Sequence, residues 1–211
     1  MKKYTIFLVC LLVFVACNTS EEISEQKMVF QIPENYSEVN NSGSITVNWE
    51  PTQLSWKKLE IWDTLIASAL DMRADYFDQV GTGSIDNFSG YKLIETVPSL
   101  DTPVCTMQTK QLEFAAWEFP EVTFIVISND TPFALQRFCS INDIDNLEVF
   151  SDARTREFWT QNSLFLSEYA LLTRSIMIVD ENNIIRYIEY ANEVTSELDL
   201  MNALAFLKSI Q

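Results

Sequence analysis

Residues 91–128 read YKLIETVPSLDTPVCTMQTKQLEFAAWEFPEVTFIVIS, and their pattern sets the architecture. Lys92 to Val97 is a compact run rich in apolar and β-branched residues, closed by Pro98, and reads as a buried strand. Thr102 to Glu118 reads as a helix: Thr102 is a good N-cap, and Pro103 takes the first helical position, where its missing N–H is no loss. Val122 to Ile127 is a second buried strand. Working outward toward the C-terminus, Pro132 to Phe138 reads as a short helix, Leu147 to Phe150 as a strand and Arg156 to Asn162 as a helix. Ser175 to Val179 and Ile184 to Tyr190 form two strands joined by a turn at Asp180 to Asn183, and Glu197 to Lys208 is a closing amphipathic helix capped by Ser196. Alternating strands and helices with one terminal hairpin imply an α/β three-layer sandwich with a mixed central sheet.

Toward the N-terminus the pattern is less regular. In residues 27–71, Met28 to Ile32 and Ser44 to Trp49 alternate like strands on either side of an Asn/Ser/Gly-rich turn, and Trp56 to Leu70 is compatible with a helix. Trp49, Trp56 and Trp62 read either as an aromatic ligand platform or as core residues, and spacings of this kind favour the core. Residues 17–26 are polar and acidic with no apolar period, which describes a flexible tether. Ahead of them, Lys2 and Lys3 precede an apolar run from Ile6 to Ala16, too short for the roughly 18 to 20 residues a spanning helix requires. Residues 1–16 therefore read as a secretory signal peptide. Ala16 followed by Cys17 resembles the lipobox of bacterial lipoproteins, which implies lipid attachment at Cys17 and anchoring of an exported chain to a membrane of the cell envelope. A plain signal cleaved nearby, with Cys17 an incidental thiol, is the alternative. The domain reading is thus 1–16 signal, 17–26 tether, 27–71 N-terminal extension and 72–211 folded body.

Composition narrows the chemistry. The chain of 211 residues contains no histidine, which removes Ser-His-Asp and Cys-His catalysis and imidazole-based zinc sites. It has four glycines, and Gly81-Thr82-Gly83 lacks the third glycine and the lysine of a phosphate loop. A formal net charge of -16 repels nucleic acid, so no nucleic-acid partner is expected. No metal and no cofactor is expected either.

With Cys10 in the signal and Cys17 at its end, the body holds Cys105 and Cys139. A structural disulfide is the default for such a pair in an exported protein. The setting of Cys105 argues for reactivity instead, because a thiol in the first turn of a helix faces the positive end of the helix dipole and orphan amide N–H groups, which favour the thiolate.

These residues resemble a known family. Pro98-Ser99-Leu100-Asp101-Thr102-Pro103-Val104-Cys105 matches the PxxxTxxC motif of peroxiredoxins, in the SxDTPVC form of the thiol peroxidase subfamily, which are atypical two-cysteine peroxiredoxins. Ser128 to Cys139, SNDTPFALQRFC, is similar to that subfamily's SxDLPFAxxRFC segment, with Thr131 in place of the commoner leucine. Ser151-Asp152, Leu172-Thr173-Arg174 with Ile176 to Asp180, and Glu193 to Glu197 resemble its later strands and the approach to its last helix. The opening element is echoed only by Ala74-Asp75-Tyr76-Phe77, with Asp75 where proline is usual. The resemblance covers about residues 72–211 and implies a thioredoxin-like fold of peroxiredoxin type.

It also implies an enzyme that reduces hydrogen peroxide and organic hydroperoxides. Cys105 would be the peroxidatic thiolate and become a sulfenic acid, and Cys139 would be the resolving cysteine that forms an intramolecular disulfide, which a thioredoxin-like protein then reduces. Thr102 would orient thiolate and peroxide, Arg174 would stabilise negative charge, and Pro98 would shield the site from water. Since the cysteines sit at different helix ends, local unwinding is expected before they meet. Related proteins commonly form homodimers. Two other classes remain open at this stage: a thiol-disulfide oxidoreductase, and a noncatalytic surface lipoprotein in which Cys105-Cys139 is a permanent staple.

Overall fold

The computed structural model describes residues 45–210 apart from 53, 55, 56, 76 and 78. The signal, the tether, Cys17, the expected strand Met28 to Ile32 and Trp56 lie outside those residues. The described residues open with a small hairpin, β1 (Ile45–Val47) and β2 (Glu50–Thr52), and continue to β3 (Leu70–Met72) and β4 (Thr82–Gly83). Then follow β5 (Lys92–Val97), α1 (Pro103–Ala116), β6 (Thr123–Ser128), α2 (Pro132–Asn142), β7 (Glu148–Ser151) and α3 (Glu157–Gln161). Two short strands, β8 (Phe165–Leu166) and β9 (Leu171–Leu172), precede β10 (Ser175–Val179), β11 (Ile185–Tyr190) and α4 (Leu200–Ser209).

Seven strands form one mixed sheet in the order β11-β10-β5-β6-β7-β3-β4. The centre, β5-β6-β7, is parallel, whereas β10 runs antiparallel to β5 and β3 antiparallel to β7. Each parallel connection crosses through a helix, as strands without a hairpin must. Alternation of side chains splits the core into two layers. Leu93, Val97, Val126 and Ile176 face α1, α2 and α4, while Ile94, Ile125, Ile127 and Met177 face α3 and the N-terminal extension. The three-layer α/β sandwich with a mixed sheet is therefore the observed fold. At the far edge Gly83 lies against Phe150, and a Cβ there would come within 2.7 Å of its ring. Asp71, 5% exposed, receives two hydrogen bonds from Arg154 at 2.6 and 2.8 Å, which fixes β3 beside β7.

The extension is an extended strap and not the helix anticipated over Trp56 to Leu70. Its backbone bonds run to other elements: Trp62 N–H to the Ile185 carbonyl at 2.9 Å, Ile185 N–H to Asp63 at 2.9 Å and Leu65 N–H to Asn183 at 2.8 Å. Buried Asn162 clamps Ile66, accepting from its N–H at 2.7 Å and donating to its carbonyl at 2.8 Å. Tertiary partners thus outcompete local helix formation, and the strap covers β11, an edge strand that would otherwise present unpaired groups. β1 continues this cover, since Thr46 N–H donates to Asn192 at 2.6 Å and its carbonyl accepts from Val194 at 3.0 Å. Each of Ile45, Val47 and Leu65, all buried, contributes about 1.5–3 kcal/mol through apolar burial.

Two further expectations are corrected. Trp49 is 78% and Trp62 69% exposed, so neither is core; both stand on left-handed turn residues that point them outward, and Trp62 instead lies under the Arg186 guanidinium, 4.5 Å away. The closing helix begins at Leu200, capped by Asp199, whose carboxylate accepts from the Asn202 N–H at 3.0 Å. Ser196 is used earlier, its N–H closing a turn onto the Glu193 carbonyl at 2.8 Å.

Candidate active site

Cys105 is the third residue of α1 and fully buried. The chain reaches it through buried Pro98, at the end of β5, and a tight turn. Thr102 stands at the N-cap position in an extended conformation, yet its hydroxyl does not cap the helix; it donates to the Ser99 carbonyl at 3.0 Å and so closes the turn. Thr106 secures the other side, donating to the Leu100 carbonyl at 2.7 Å.

Arg174, just ahead of β10, is the group that meets the sulfur. It is 1% exposed, and its Nη2 donates to Cys105 Sγ at 2.9 Å. Its Nε donates to the Val194 carbonyl at 3.0 Å and its Nη1 to Gln108 Oε1 at 3.3 Å. Gln108, one turn beyond Cys105 on the same face, is itself held by donating to Leu198 at 3.2 Å. A guanidinium fixed on three sides and aimed at a buried sulfur stabilises negative charge there more than it could in water.

Asp130 braces the approach to Cys105. Its carboxylate accepts from Ser99 Oγ at 2.8 Å, from the Leu100 N–H at 2.6 Å and from Ser128 Oγ at 2.7 Å. The next residue, Thr131, caps α2 by accepting from the Ala134 N–H at 3.4 Å. One acidic side chain therefore ties the Cys105 turn to the end of β6 and the start of the helix that carries Cys139.

Cys139 lies in the last turns of α2 and is 3% exposed. Burial pushes its thiol up, and a hydrogen bond from Arg73 works against that push. Arg73 also donates to the Ile144 carbonyl at 3.0 Å, so it sits at the C-terminal end of α2 in a groove shared with Ala74, Gln136 and Cys139. Cys105 and Cys139 are both free thiols. Of the residues singled out from the sequence, the structure brings Arg174 onto Cys105 and places Pro98 and Thr102 in the turn before it; Cys139 is held in a separate helix.

Sequence reasoning passed over Gln108, Asp130 and Arg73. Gln108 was within reach, since three residues past Cys105 is the same helical face, and Asp130 lies inside the quoted SNDTPF stretch. Arg73 carries no sequence signal, because only the fold brings β3 beside α2.

The chain is similar to several known proteins. A family model described as AhpC/TSA family matches residues 68–188. A thiol peroxidase of Streptococcus agalactiae is 34% identical over 155 residues, covering 71% of this chain and 88% of that protein. A thiol peroxidase of Oceanobacillus iheyensis is 39% identical over 116 residues, covering 55% of this chain and 71% of its own. Among solved structures, a peroxiredoxin-like protein from Aquifex aeolicus superposes with a TM-score of 0.71 at 26% identity, over 81% of this chain and 98% of that one.

Proposed function

Because this chain belongs to the AhpC/TSA family and is a peroxiredoxin that reduces peroxides with thiol electrons, we propose that Cys105 is the sulfur that meets the oxidant and Cys139 the one that resolves it. The observation that carries this assignment is the Arg174 hydrogen bond to Cys105 Sγ. The thiolate attacks the distal peroxide oxygen, the O–O bond breaks, and the leaving oxygen takes up a proton to give water or an alcohol. Arg174 stabilises the charge on sulfur before attack and on the oxygens as the bond breaks. Pro98 keeps bulk water from the sulfur, and Thr102 orients the peroxide once its hydroxyl turns from Ser99. Cys139 then attacks the sulfenic acid, expelling water and forming a disulfide that a thioredoxin-like protein reduces by exchange.

Because Cys139 is buried in α2, resolution requires the end of that helix to open. On the N-terminal side, the Lys2-Lys3 start and the apolar run to Ala16 support export and acylation of Cys17, which would place the enzyme on a membrane of the cell envelope. The deciding experiment follows peroxide consumption by the purified protein with a thioredoxin system and identifies the oxidised sulfur by mass. Peroxide-dependent sulfenic acid on Cys105 is expected; oxidation that begins at Cys139 overturns the assignment. Fatty-acid labelling should mark the wild type and miss Cys17→Ser, and labelling that survives the substitution rules out the anchor.

A further inference from the structure

Neither the β1-β2 hairpin nor the segment after β11 lies within the residues that the family model matches, yet the two are bonded to each other at Glu193. This residue is 2% exposed. Its carboxylate accepts from Thr46 Oγ1 at 2.6 Å, from the Asn48 N–H at 3.2 Å, from the Trp49 N–H at 3.0 Å and from Thr195 Oγ1 at 3.1 Å. Asn48 and Trp49 form the two-residue turn of the hairpin, with φ of 52° and 65°. Left-handed backbone at two successive residues other than glycine persists only where the surroundings over-determine it. Here the Glu193 carboxylate does so, because it accepts from the N–H of both.

Val194, the next residue, passes this order on. Its N–H donates to the Thr46 carbonyl at 3.0 Å, and its own carbonyl accepts from Arg174 Nε at 3.0 Å. The Arg174 carbonyl in turn accepts from the Ala191 N–H at 3.1 Å, so the segment from Ala191 to Val194 holds both the backbone and the side chain of this arginine. A guanidinium is planar and rigid, and fixing its Nε–H fixes the directions of its other donors. Nη1 then meets Gln108 at 3.3 Å and Nη2 meets Cys105 Sγ at 2.9 Å. Gln108 and Cys105 both belong to α1. The Val194 carbonyl is therefore the contact that aims the guanidinium from outside the helix carrying the sulfur.

We propose that Glu193 is a positioning residue for the peroxide step: by clamping the turn of the β1-β2 hairpin it holds the Val194 carbonyl where that carbonyl aims Arg174 at Cys105. The inference rests on the assignment of Cys105 made above. It gives the hairpin a part in the reaction beyond covering an edge. Cover needs only strand pairing and apolar burial, which Ile45 and Val47 supply. An enclosed carboxylate is costly unless matched donors meet it, and the donors that meet this one fix the backbone on either side of Val194. The effect of Glu193 on the chemistry passes through Arg174.

A double-mutant cycle on the full chain tests this. Glu193→Gln puts donors where the turn needs acceptors, and it should slow sulfenic acid formation on Cys105 by about 10- to 100-fold, the scale of loss when a reacting group is misplaced by about an ångström. In an Arg174→Gln background the same substitution should change the rate by less than about twofold, because the group it misaims is already gone. Nuclear magnetic resonance with isotopically labelled arginine adds a direct signature: the Arg174 Nε–H should be protected from solvent exchange in the wild type and lose that protection in Glu193→Gln. Equal slowing in both backgrounds overturns the proposal, as does a folded Glu193→Gln with the wild-type peroxide rate or an unchanged Nε–H. Should Glu193→Gln fail to fold, Thr46→Val, which removes one donor to the carboxylate and keeps the β-branched shape, goes through the same cycle and decides. A wild type that forms no sulfenic acid on Cys105 is a separate outcome, which overturns the underlying assignment.

Discussion

Arg137, on the helix that carries Cys139, donates from Nη2 to Asp101 Oδ2 at 2.7 Å, tying that helix to the turn that leads into Cys105. Both side chains are more than half exposed, so the pair is worth only about 0.2–1 kcal/mol. Its position is what matters, since opening α2 stretches this link while the attack on peroxide leaves it alone. Arg137→Ala is expected to leave the melting temperature and the peroxide step nearly unchanged and to speed disulfide formation by up to about fivefold. Two-phase fluorescence kinetics separate the steps; slower resolution would show that the pair guides closure instead of restraining opening.

Arg174→Gln should lower the rate constant for peroxide by about 10²–10³-fold, the usual loss when one donor to a developing charge is removed. Arg174→Lys should recover only part of it, because an ammonium cannot serve Cys105, Gln108 and Val194 together as the guanidinium does. A variant within twofold of wild type would remove Arg174 from the mechanism.

The two cysteines should fail differently. Cys105→Ser abolishes peroxide reduction, whereas Cys139→Ser permits one stoichiometric turnover and accumulates sulfenic acid. Single-turnover peroxide consumption measures both, and equal burst amplitudes would contradict the division of roles.

Asp130→Ala removes an acceptor from Ser99, Leu100 and Ser128 together. Hydrogen bonds to a charged group contribute about 1.5–3 kcal/mol each, and because some are regained from water a net loss of about 2–4 kcal/mol is expected. Denaturant unfolding reads it directly, and the peroxide step should slow as the turn before Cys105 loosens.

Stability should fall as pH rises from about 4.5 to about 8. In that window folded Glu95, pushed by burial from 4.5 to about 8, retains a proton that the unfolded chain has released, so the contribution is present at the acid end and lost by the alkaline end. Glu189 and Asp152, both raised by burial, act in the same direction. Asp180 and Glu193 are held below the usual carboxylate range despite opposing burial, chiefly by the Ile184 N–H and by Thr46, and their stabilisation disappears only on acidification. Melting in buffers of equal ionic strength should show the slope, worth a few kcal/mol at about 1.36 kcal/mol per pKa unit, and Glu95→Gln should flatten most of it.

What could be read from the sequence was what local pattern encodes. β5 and β10 fall on the residues anticipated, because short runs rich in apolar and β-branched residues, closed by Pro98 in β5 and by the turn at Asp180 in β10, have few other uses. α1 starts where Thr102-Pro103 says it should. Cys105 stands out by its place in the first turn of a helix and Arg174 by resemblance alone, yet nothing local announces that one lies 2.9 Å from the other. The strap over 57–69 was misread because Trp56 to Leu70 has helix-compatible spacing, whereas its partners, Asn162, Asn183 and Ile185, lie about a hundred residues away in sequence. Glu95 escaped notice for a related reason. Inside an apolar strand pattern a single glutamate reads as an outward-facing residue, and only the packed sheet shows that it is enclosed.

Val194 joins β1 to the reaction centre. Its N–H donates to the Thr46 carbonyl at 3.0 Å and its own carbonyl accepts from Arg174 Nε at 3.0 Å, so one residue separates β1 from the guanidinium that grips the reactive sulfur. If the chain ahead of Ile45 is anchored, tension on it is delivered next to the catalytic arginine and not to an inert surface. The same geometry sets a practical limit on trimming the protein, because a chain beginning after Val47 would shed a brace of its own reaction centre along with the spacer.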